Sequence, residues 1–387
     1  DLKTQVYRGA TRQWNTDLFD EFDLVITTYG TVRSDIEKLR QYRFHYVVLD
    51  ESQAIKNPGS QVAKAVKLLR ADNRIVMTGT PVENNTFDLY SQMDFLNPGL
   101  LGGEAFFRME YATPIDKHRN EEKARELRQL IYPFMLKRTK EEVAKDLPDK
   151  TEIVLHCEMG KAQRKVYEKF RETYRQKITD KMSRDGKEQA SFLILEGLLK
   201  LRQICDSPAL LSDGEDYGHD SAKLDELTRE IHENAGHHKI LVFSQFLKML
   251  DLVRQTLEGM HIPYEYLDGS TEDRAERVRS FQENEQCRVF LISLKAGGVG
   301  LNLTSADYVY LIDPWWNPAV EQQAIDRTHR IGQTQKVFAY KMICKDTVEE
   351  KILSLQEKKK EVANDLISTE SGFIKKLTQE DVVGLFS

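Results

Sequence analysis

Asp50 and Glu51 stand side by side at the end of the apolar run YVVLD, residues 46–50. Beyond a strand end such a pair can divide its labour. One carboxylate holds Mg²⁺ while the other orients a water, as phosphoryl transfer to water requires. Taken alone, an Asp–Glu pair is more often an ordinary surface loop. A second group lies near the other end of the chain. Gln323, Arg327 and Arg330 are spaced four and three apart, so one helical face, or the helix end, brings an amide and two guanidiniums to one side. Guanidiniums are planar cations of fixed charge and suit phosphate oxygens. Upstream, Gly297, Gly298 and Gly300 follow the apolar run Val289–Ile292, and a Gly-rich turn there lets backbone N–H groups approach an anion. The spacing reads as a phosphate site. A solvated Arg/Gln face beside an ordinary Gly turn fits it as well.

Strands must position these groups. Residues 23–28 (DLVITT), 46–50 and 74–78 (RIVMT) are short β-branched runs without alternation, the pattern of strands buried on both faces in a parallel sheet. Helical patterns over 31–40 and 60–69 separate them, the second entered through Asn57, Pro58, Gly59 and the N-cap residue Ser60. This alternation predicts an α/β doubly wound unit whose ligands lie beyond the carboxyl ends of the strands. Asp50, Glu51, Ser52 and Gln53 fall there, as do Thr78, Gly79, Thr80 and Pro81. A second set of strands is predicted at 239–244, 264–267, 289–292, 308–312 and 337–342.

Between the two sets, residues 151–159 alternate like a half-buried strand, 161–183 and 192–204 read as helices, and 206–220 reads as a linker. Ser221 caps a helix over 222–233, and 347–367 forms a long amphipathic helix. His232, His237 and His238 lack the spacing of a metal site and read as a loop. Lys358, Lys359 and Lys360 read as a solvated face. Trp315 and Trp316 fit the core as readily as a surface.

The chain has 387 residues, enough for two or three domains, with 40% hydrophobic and 30% charged residues. Its net charge of −6 gives no global basic signal for nucleic acid, although a local groove can be basic on an acidic protein. Four dispersed cysteines form no C-x-x-C pair, so the default is a reducing compartment and no structural zinc. No stretch reads as a membrane span or secretory signal.

Several stretches together resemble one family. They are ITTYG (26–30), DESQAIKN (50–57), TGTPVENN (78–85), PFMLKRTKEEVAKDLPDK (133–150), AGGVGLNL (296–303), DPWWNP (313–318) and QQAIDRTHRIGQ (322–333). In combination they resemble the Swi/Snf-type family of superfamily-two, DNA-dependent ATPases, over nearly all of residues 23–350. The resemblance implies an α/β fold of two RecA-like parallel-sheet lobes, the first partial, with helical insertions between them. It divides the chain into first-lobe residues 1–102, protrusions and linker 103–220, second lobe 221–345 and a C-terminal helical brace 346–387.

It further implies ATP and Mg²⁺, bound in a cleft between the lobes. By carry-over Asp50 would serve the metal, Glu51 would polarise the attacking water, and Arg327 and Arg330 would act as arginine fingers, with Gln323 beside them. Gln53, Thr78, Gly79, Thr80, Gly298 and Gly300 would meet the nucleotide, Thr78–Thr80 coupling its state to DNA grip. Thr28, Tyr29, Ser244, Gln245, Gly269, Ser270, Ser293, Lys295, Asn302 and Trp316 would contact DNA. Lys137, Arg138 and Lys140 would line a DNA groove or form a solvated helix end. The implied partner is double-stranded DNA, held by its backbone, with a DNA-bound protein such as a nucleosome or RNA polymerase as cargo. The implied location is a nucleus or, on its compact protrusions, a bacterial cytoplasm. A strand-separating helicase is the alternative enzyme.

One part of the pattern is missing. G-x-x-x-x-G-K-[S/T] occurs nowhere, and the Gly–Lys pairs at 160–161 and 186–187 do not fit it. The expectation is that this loop lies upstream of Asp1 in a longer protein and that the present polypeptide alone hydrolyses little ATP. A binding module without turnover is the other account.

Overall fold

A computed structural model describes residues 2–9, 12, 19–78, 86–118, 120–136, 138, 140–144, 146–212, 214–297, 300–314, 318–362 and 378–387. The chain forms two compact units, residues 1–137 and 138–387.

In the first unit β1 (Thr4–Tyr7) pairs in parallel with β2 (Leu24–Thr27), and β3 (Arg43–Leu49) with β4 (Arg70–Val76). Helix α1 (Tyr29–Leu39) starts where the Thr28 hydroxyl accepts the Thr31 N–H, and α2 (Gln61–Lys67) where Ser60 accepts that of Ala63. Each cap satisfies a backbone donor that the helix itself leaves open. Val32, Leu39, Leu49, Ile55, Val66 and Phe95 form one core beneath these elements. Helices α3 (Thr86–Leu96) and α4 (Glu121–Ile131), the latter capped by Asn120, enclose a second one around Phe107, Tyr111 and Leu127.

Burial on both faces, expected for these strands, is not what forms. Along β3, Val47 and Leu49 turn inward while Tyr46 and Val48 stay exposed. Leu24, Ile26, Ile75 and Met77 are open as well. The helices cover one face, and successive side chains of a strand point to opposite faces, so every second apolar residue is left in water.

The second unit holds a six-stranded, all-parallel sheet in the order β5-β10-β9-β6-β8-β7. The strands are β5 (Lys150–Cys157), β6 (Ile240–Ser244), β7 (Tyr264–Leu267), β8 (Val289–Ser293), β9 (Tyr308–Leu311) and β10 (Val337–Cys344). The half-buried strand expected near 151–159 is β5, an edge strand in register with β10 along its full length.

Here burial is two-sided. Ile240 and Val242 of β6 face one apolar cluster, with Leu227 of α7 (Ala222–Asn234), Leu250 of α8 (Leu247–Gly259) and Tyr167 and Leu198 from α5 (Lys161–Asp185) and α6 (Lys187–Asp206). Leu241 and Phe243 face the other, with Phe281 of α9 (Arg274–Glu283) and Ile325 of α10 (Pro318–Ile325). Alternate residues serving opposite layers explain why the run ILVFS carries no polar alternation. Helices α11 (Val348–Val362) and α12 (Gln379–Phe386) complete the first layer through Val348, Ile352, Leu385 and Phe386.

One charged cluster is sealed inside this unit. The fully buried Lys223 ammonium donates to Asp206 Oδ1 at 2.9 Å, Glu349 Oε1 at 2.7 Å and the Ile312 carbonyl at 2.7 Å. Glu349 Oε2 accepts the Cys344 N–H. Cys205, Cys344 and Glu349 lie close enough to hold a metal ion, but the lysine already supplies the positive charge. The four cysteines are free and buried. Among the described residues no helix is long and apolar enough to cross a membrane.

Candidate functional site

In the first unit, loops at the carboxyl ends of β2, β3 and β4 converge. The Met77 N–H donates to the Leu49 carbonyl and the Ser52 N–H to that of Met77, which draws the loop after β3 against the end of β4. The Tyr29 hydroxyl donates to the Asp50 carbonyl at 2.7 Å. Burial, with the Asp50 and Glu51 charges nearby, pushes the Tyr29 phenol up to about 12, so it remains a donor at neutral pH.

Asp50 and Glu51 are both exposed. Asp50 Oδ1 accepts the Glu51 N–H at 2.9 Å, and its other oxygen has no hydrogen-bond partner among the described residues. Gln53 Nε2 donates to Glu51 Oε2 at 2.7 Å, and the Thr78 hydroxyl to Gln53 Oε1 at 3.4 Å. Glu51 has φ +49° and ψ +53°, the left-handed region that costs an ordinary L-residue about 1–2 kcal/mol. The strained backbone turns two adjacent carboxylates outward at one strand end. Exposed, hard carboxylate oxygens are the donor set that Mg²⁺ takes, and Asp50 is the residue that would hold it. Thr28 spends its hydroxyl capping α1. Gly79 and Thr80 lie outside the described residues.

In the second unit, β6 lies between β8 and β9 while the chain runs β8 to β9, so the order reverses there. A crevice beyond the carboxyl ends at such a point is where open α/β sheets bind ligands. Ser244 and Ser293 are the last residues of β6 and β8, Lys295 lies in the short helix Leu294–Gly297, and Gln245, Gly300 and Asn302 lie in the loops, all at this end. Their surroundings differ. Ser244 is fully buried and its hydroxyl accepts the Phe246 N–H; Ser293 is 4% exposed and accepts that of Ala296. Lys295, Gly300 (φ +56°) and Asn302 are exposed. Gly298 and Trp316 lie outside the described residues.

The buried network sets the backbone here. The Asp313 carboxylate accepts the Gln245 N–H at 2.9 Å, Arg202 donates to the Pro314 carbonyl at 2.6 Å, and Lys223 holds that of Ile312. Burial raises the Asp313 carboxyl to about 6 against the opposing pull of Arg202. At the end of β7, Asp268 Oδ1 accepts the Ser270 N–H and hydroxyl, and Arg274 donates to the Thr271 carbonyl. Gly269 and Ser270 are thereby held at an exposed turn.

The arginines lie beyond a helix, not along it. Helix α10 ends at Ile325, so Gln323 is helical while Arg327 and Arg330 sit in the turn that follows. Arg327 is 3% exposed; Arg330 is half-buried and donates from Nε to the Asp326 carbonyl at 3.1 Å. Gln333, buried, donates to the Ala306 and Thr328 carbonyls and fixes the turn from below. Sequence reasoning passed over Gln333, Asp326 and Arg202. Polar residues inside otherwise apolar or motif-dense stretches were the only signal for them.

The SNF2-related domain model matches residues 1–210 and the helicase conserved C-terminal domain model residues 222–332. An uncharacterized ATP-dependent helicase of Mycoplasma pneumoniae is 36% identical over 94% of this chain, and the TATA-binding protein-associated factor MOT1 of Saccharomyces cerevisiae 34% identical over all of it. The chain spans 34% and 24% of the length of these two relatives. Among solved structures, the Sulfolobus solfataricus SWI2/SNF2 ATPase core in complex with double-stranded DNA is 36% identical, with a TM-score of 0.51 over 99% of this chain and 81% of that one. Motifs, parallel sheet and family models agree, and the chain belongs to the Swi/Snf-type family of helicase-like proteins built on an SNF2-related domain and a helicase C-terminal domain.

Proposed function

We propose that this chain is the motor core of a DNA-dependent ATPase that translocates on double-stranded DNA and thereby remodels or displaces DNA-bound proteins. The observation that carries the reading is the convergence of Tyr29, Asp50, Glu51, Gln53 and Thr78 at the strand ends of one unit, in a chain that also presents an ordered arginine turn.

ATP is the substrate. Asp50 is the residue that would hold Mg²⁺, which would supply positive charge against the phosphate oxygens. Glu51, oriented by Gln53, takes the proton side of the attacking water. Thr78, bonded to Gln53, together with Gly79 and Thr80 couples nucleotide state to DNA grip. Gln323, Arg327 and Arg330 act on the transferring phosphoryl, where one arginine is worth about 10³-fold or more in turnover. Gly298 and Gly300 let backbone approach the nucleotide.

DNA meets exposed groups at the strand ends, Thr28, Gly269, Ser270, Lys295 and Asn302; Trp316 is the further residue assigned to it. Tyr29, Ser244, Gln245 and Ser293 shape the loops that present them. Such contacts are directed at the sugar–phosphate backbone, so binding tolerates any sequence and falls steeply with salt. The similarity to MOT1, named for its association with a TATA-binding protein, supports a DNA-bound protein as cargo. The work is done wherever that DNA lies, in a nucleoid or a nucleus.

Triplex displacement by the intact protein tests the reading. ATP-dependent release of a third strand from duplex, without separation of the duplex itself, is the expected result. Strand separation with no triplex release would favour the helicase reading instead. Absence of both, with DNA still bound, would leave a binding module.

A further inference from the structure

The stretch from Arg138 to Asp149 bonds onto the arginine turn at three places. Lys140 Nζ lies 2.8 Å from Asp326 Oδ1 and donates to the His329 carbonyl at 3.0 Å. Further along, His329 Nε2 lies 2.8 Å from the Pro148 carbonyl. The turn itself is bound back on Asp326: Gln322 Nε2 donates to Asp326 Oδ1 at 3.1 Å, and Arg330 Nε to the Asp326 carbonyl at 3.1 Å. One ammonium therefore ties the residue that receives Arg330 to the carbonyl just before it. Residues 186 and 189 positions apart in sequence are joined by a single side chain. Lys140, which the sequence offers as a groove-lining cation or a solvated helix end, opens the short helix Lys140–Val143, is 40% exposed and pairs with Asp326.

We infer that Lys140 is a positioning residue for the Arg327–Arg330 turn, acting through Asp326 and the His329 carbonyl. The inference rests on the motor reading above and adds a residue to it. Lys140 is 40% exposed and Asp326 28%, and an ion pair that open to water adds little to global stability. A guanidinium that must meet a transferring phosphoryl is another matter, since displacement by about 1 Å can cost about 10²-fold in rate. Lys140 and Asp326 sit where a weak contact has that leverage. Without Lys140 the turn keeps its Gln322 and Gln333 bonds and the contact of His329 Nε2 with the Pro148 carbonyl, but loses the side-chain bond to the His329 carbonyl.

The test is ATP turnover of the intact protein with duplex DNA for wild type, Lys140→Ala, Lys140→Arg, Asp326→Asn and Arg330→Ala. The expected result for Lys140→Ala is a fall in kcat of about 10- to 100-fold, with KM for ATP within about threefold. Lys140→Arg, which can still reach both oxygens, recovers most of it. Lys140→Ala combined with Asp326→Asn loses little more than either alone, because both cut one link. The thermal transition moves by no more than a degree or two in each. If Lys140→Ala keeps wild-type kcat while Arg330→Ala is inactive, the inference falls and the motor reading stands. A kcat loss that Lys140→Arg does not relieve also overturns it, and so does one matched by a large fall in thermal stability. Wild-type turnover by Arg330→Ala would bring down the motor reading itself.

Discussion

The runs YVVL of β3 and ILVF of β6 are alike in lacking polar alternation and have opposite fates. All five residues of β6 are buried, whereas Tyr46 and Val48 of β3 are each about half exposed, at 51% and 49%. In the second unit helices cover both faces of the sheet; in the first, among the described residues, they cover one. Apolar composition thus states what a strand can bury, and the neighbours supplied by the fold decide what it does bury. The same contrast holds for the loops that carry the candidate chemistry. Those of the second unit rest on a sealed network of Lys223, Asp206, Glu349, Arg202 and Asp313, while Asp50 and Glu51 hang on surface tethers from Tyr29 and Gln53.

Substitutions on the two sides should separate accordingly. Lys223→Met, which strands two carboxylates in the interior, is expected to cost about 3–5 kcal/mol in the unfolding transition of the second unit. Burial already raises Asp206 well above the ordinary carboxylate range. An acid with a raised folded-state pKa favours the fold only when protonated, so the deficit should shrink as pH falls. Equal loss from a surface lysine such as Lys345 would break the contrast.

In the first unit Asp35 is held down to about 2, chiefly by its hydrogen bonds from Arg12 and also by Tyr7. A depressed acid stabilises the fold above its unfolded pKa and loses that contribution as pH drops through the folded value. Asp35→Asn should therefore cost about 1–2 kcal/mol at neutral pH, after discounting for partial exposure, a deficit that shrinks below pH ~4 and vanishes below pH ~2. A pH-independent deficit in chemical denaturation would contradict the assignment.

Glu51→Gly releases a left-handed backbone and should leave the first unit as stable or up to about 1 kcal/mol more so, while hydrolysis is lost. Loss of both together would mean that Glu51 is a structural residue. The smallest effect is expected at Val48→Thr. With its side chain in water, the change should stay within about 0.5 kcal/mol, against about 1–3 kcal/mol for Val242→Thr, whose hydroxyl would be buried.

Much of this architecture was legible from residue order. Ser60 and Ser221 each cap the helix that their position announced, and β7 runs from Tyr264 to Leu267 as read. Local chemistry decides such features, so sequence reveals them. The two-sided burial of β3 and β4 was misjudged because exposure depends on partners that no strand encodes. The spacing of Gln323, Arg327 and Arg330 leaves one helical face or the helix end open; the helix stops at Ile325 and the arginines follow it in a turn that buried Gln333 bonds from inside. Lys140 could not have been paired with Asp326 from spacing, since only the tertiary fold joins them. The candidate site was readable as a set of residue types, because motif chemistry is local. Its supports were not.

ATP hydrolysis by the intact protein, measured without DNA, with single strands and with duplex, beside Arg330→Ala, tests the central claim most directly. The account predicts turnover that duplex stimulates more than single strands do and that Arg330→Ala lowers by about 10³-fold or more, with duplex binding largely retained. Turnover in Arg330→Ala close to wild type, or no hydrolysis under any of the three conditions, would contradict it.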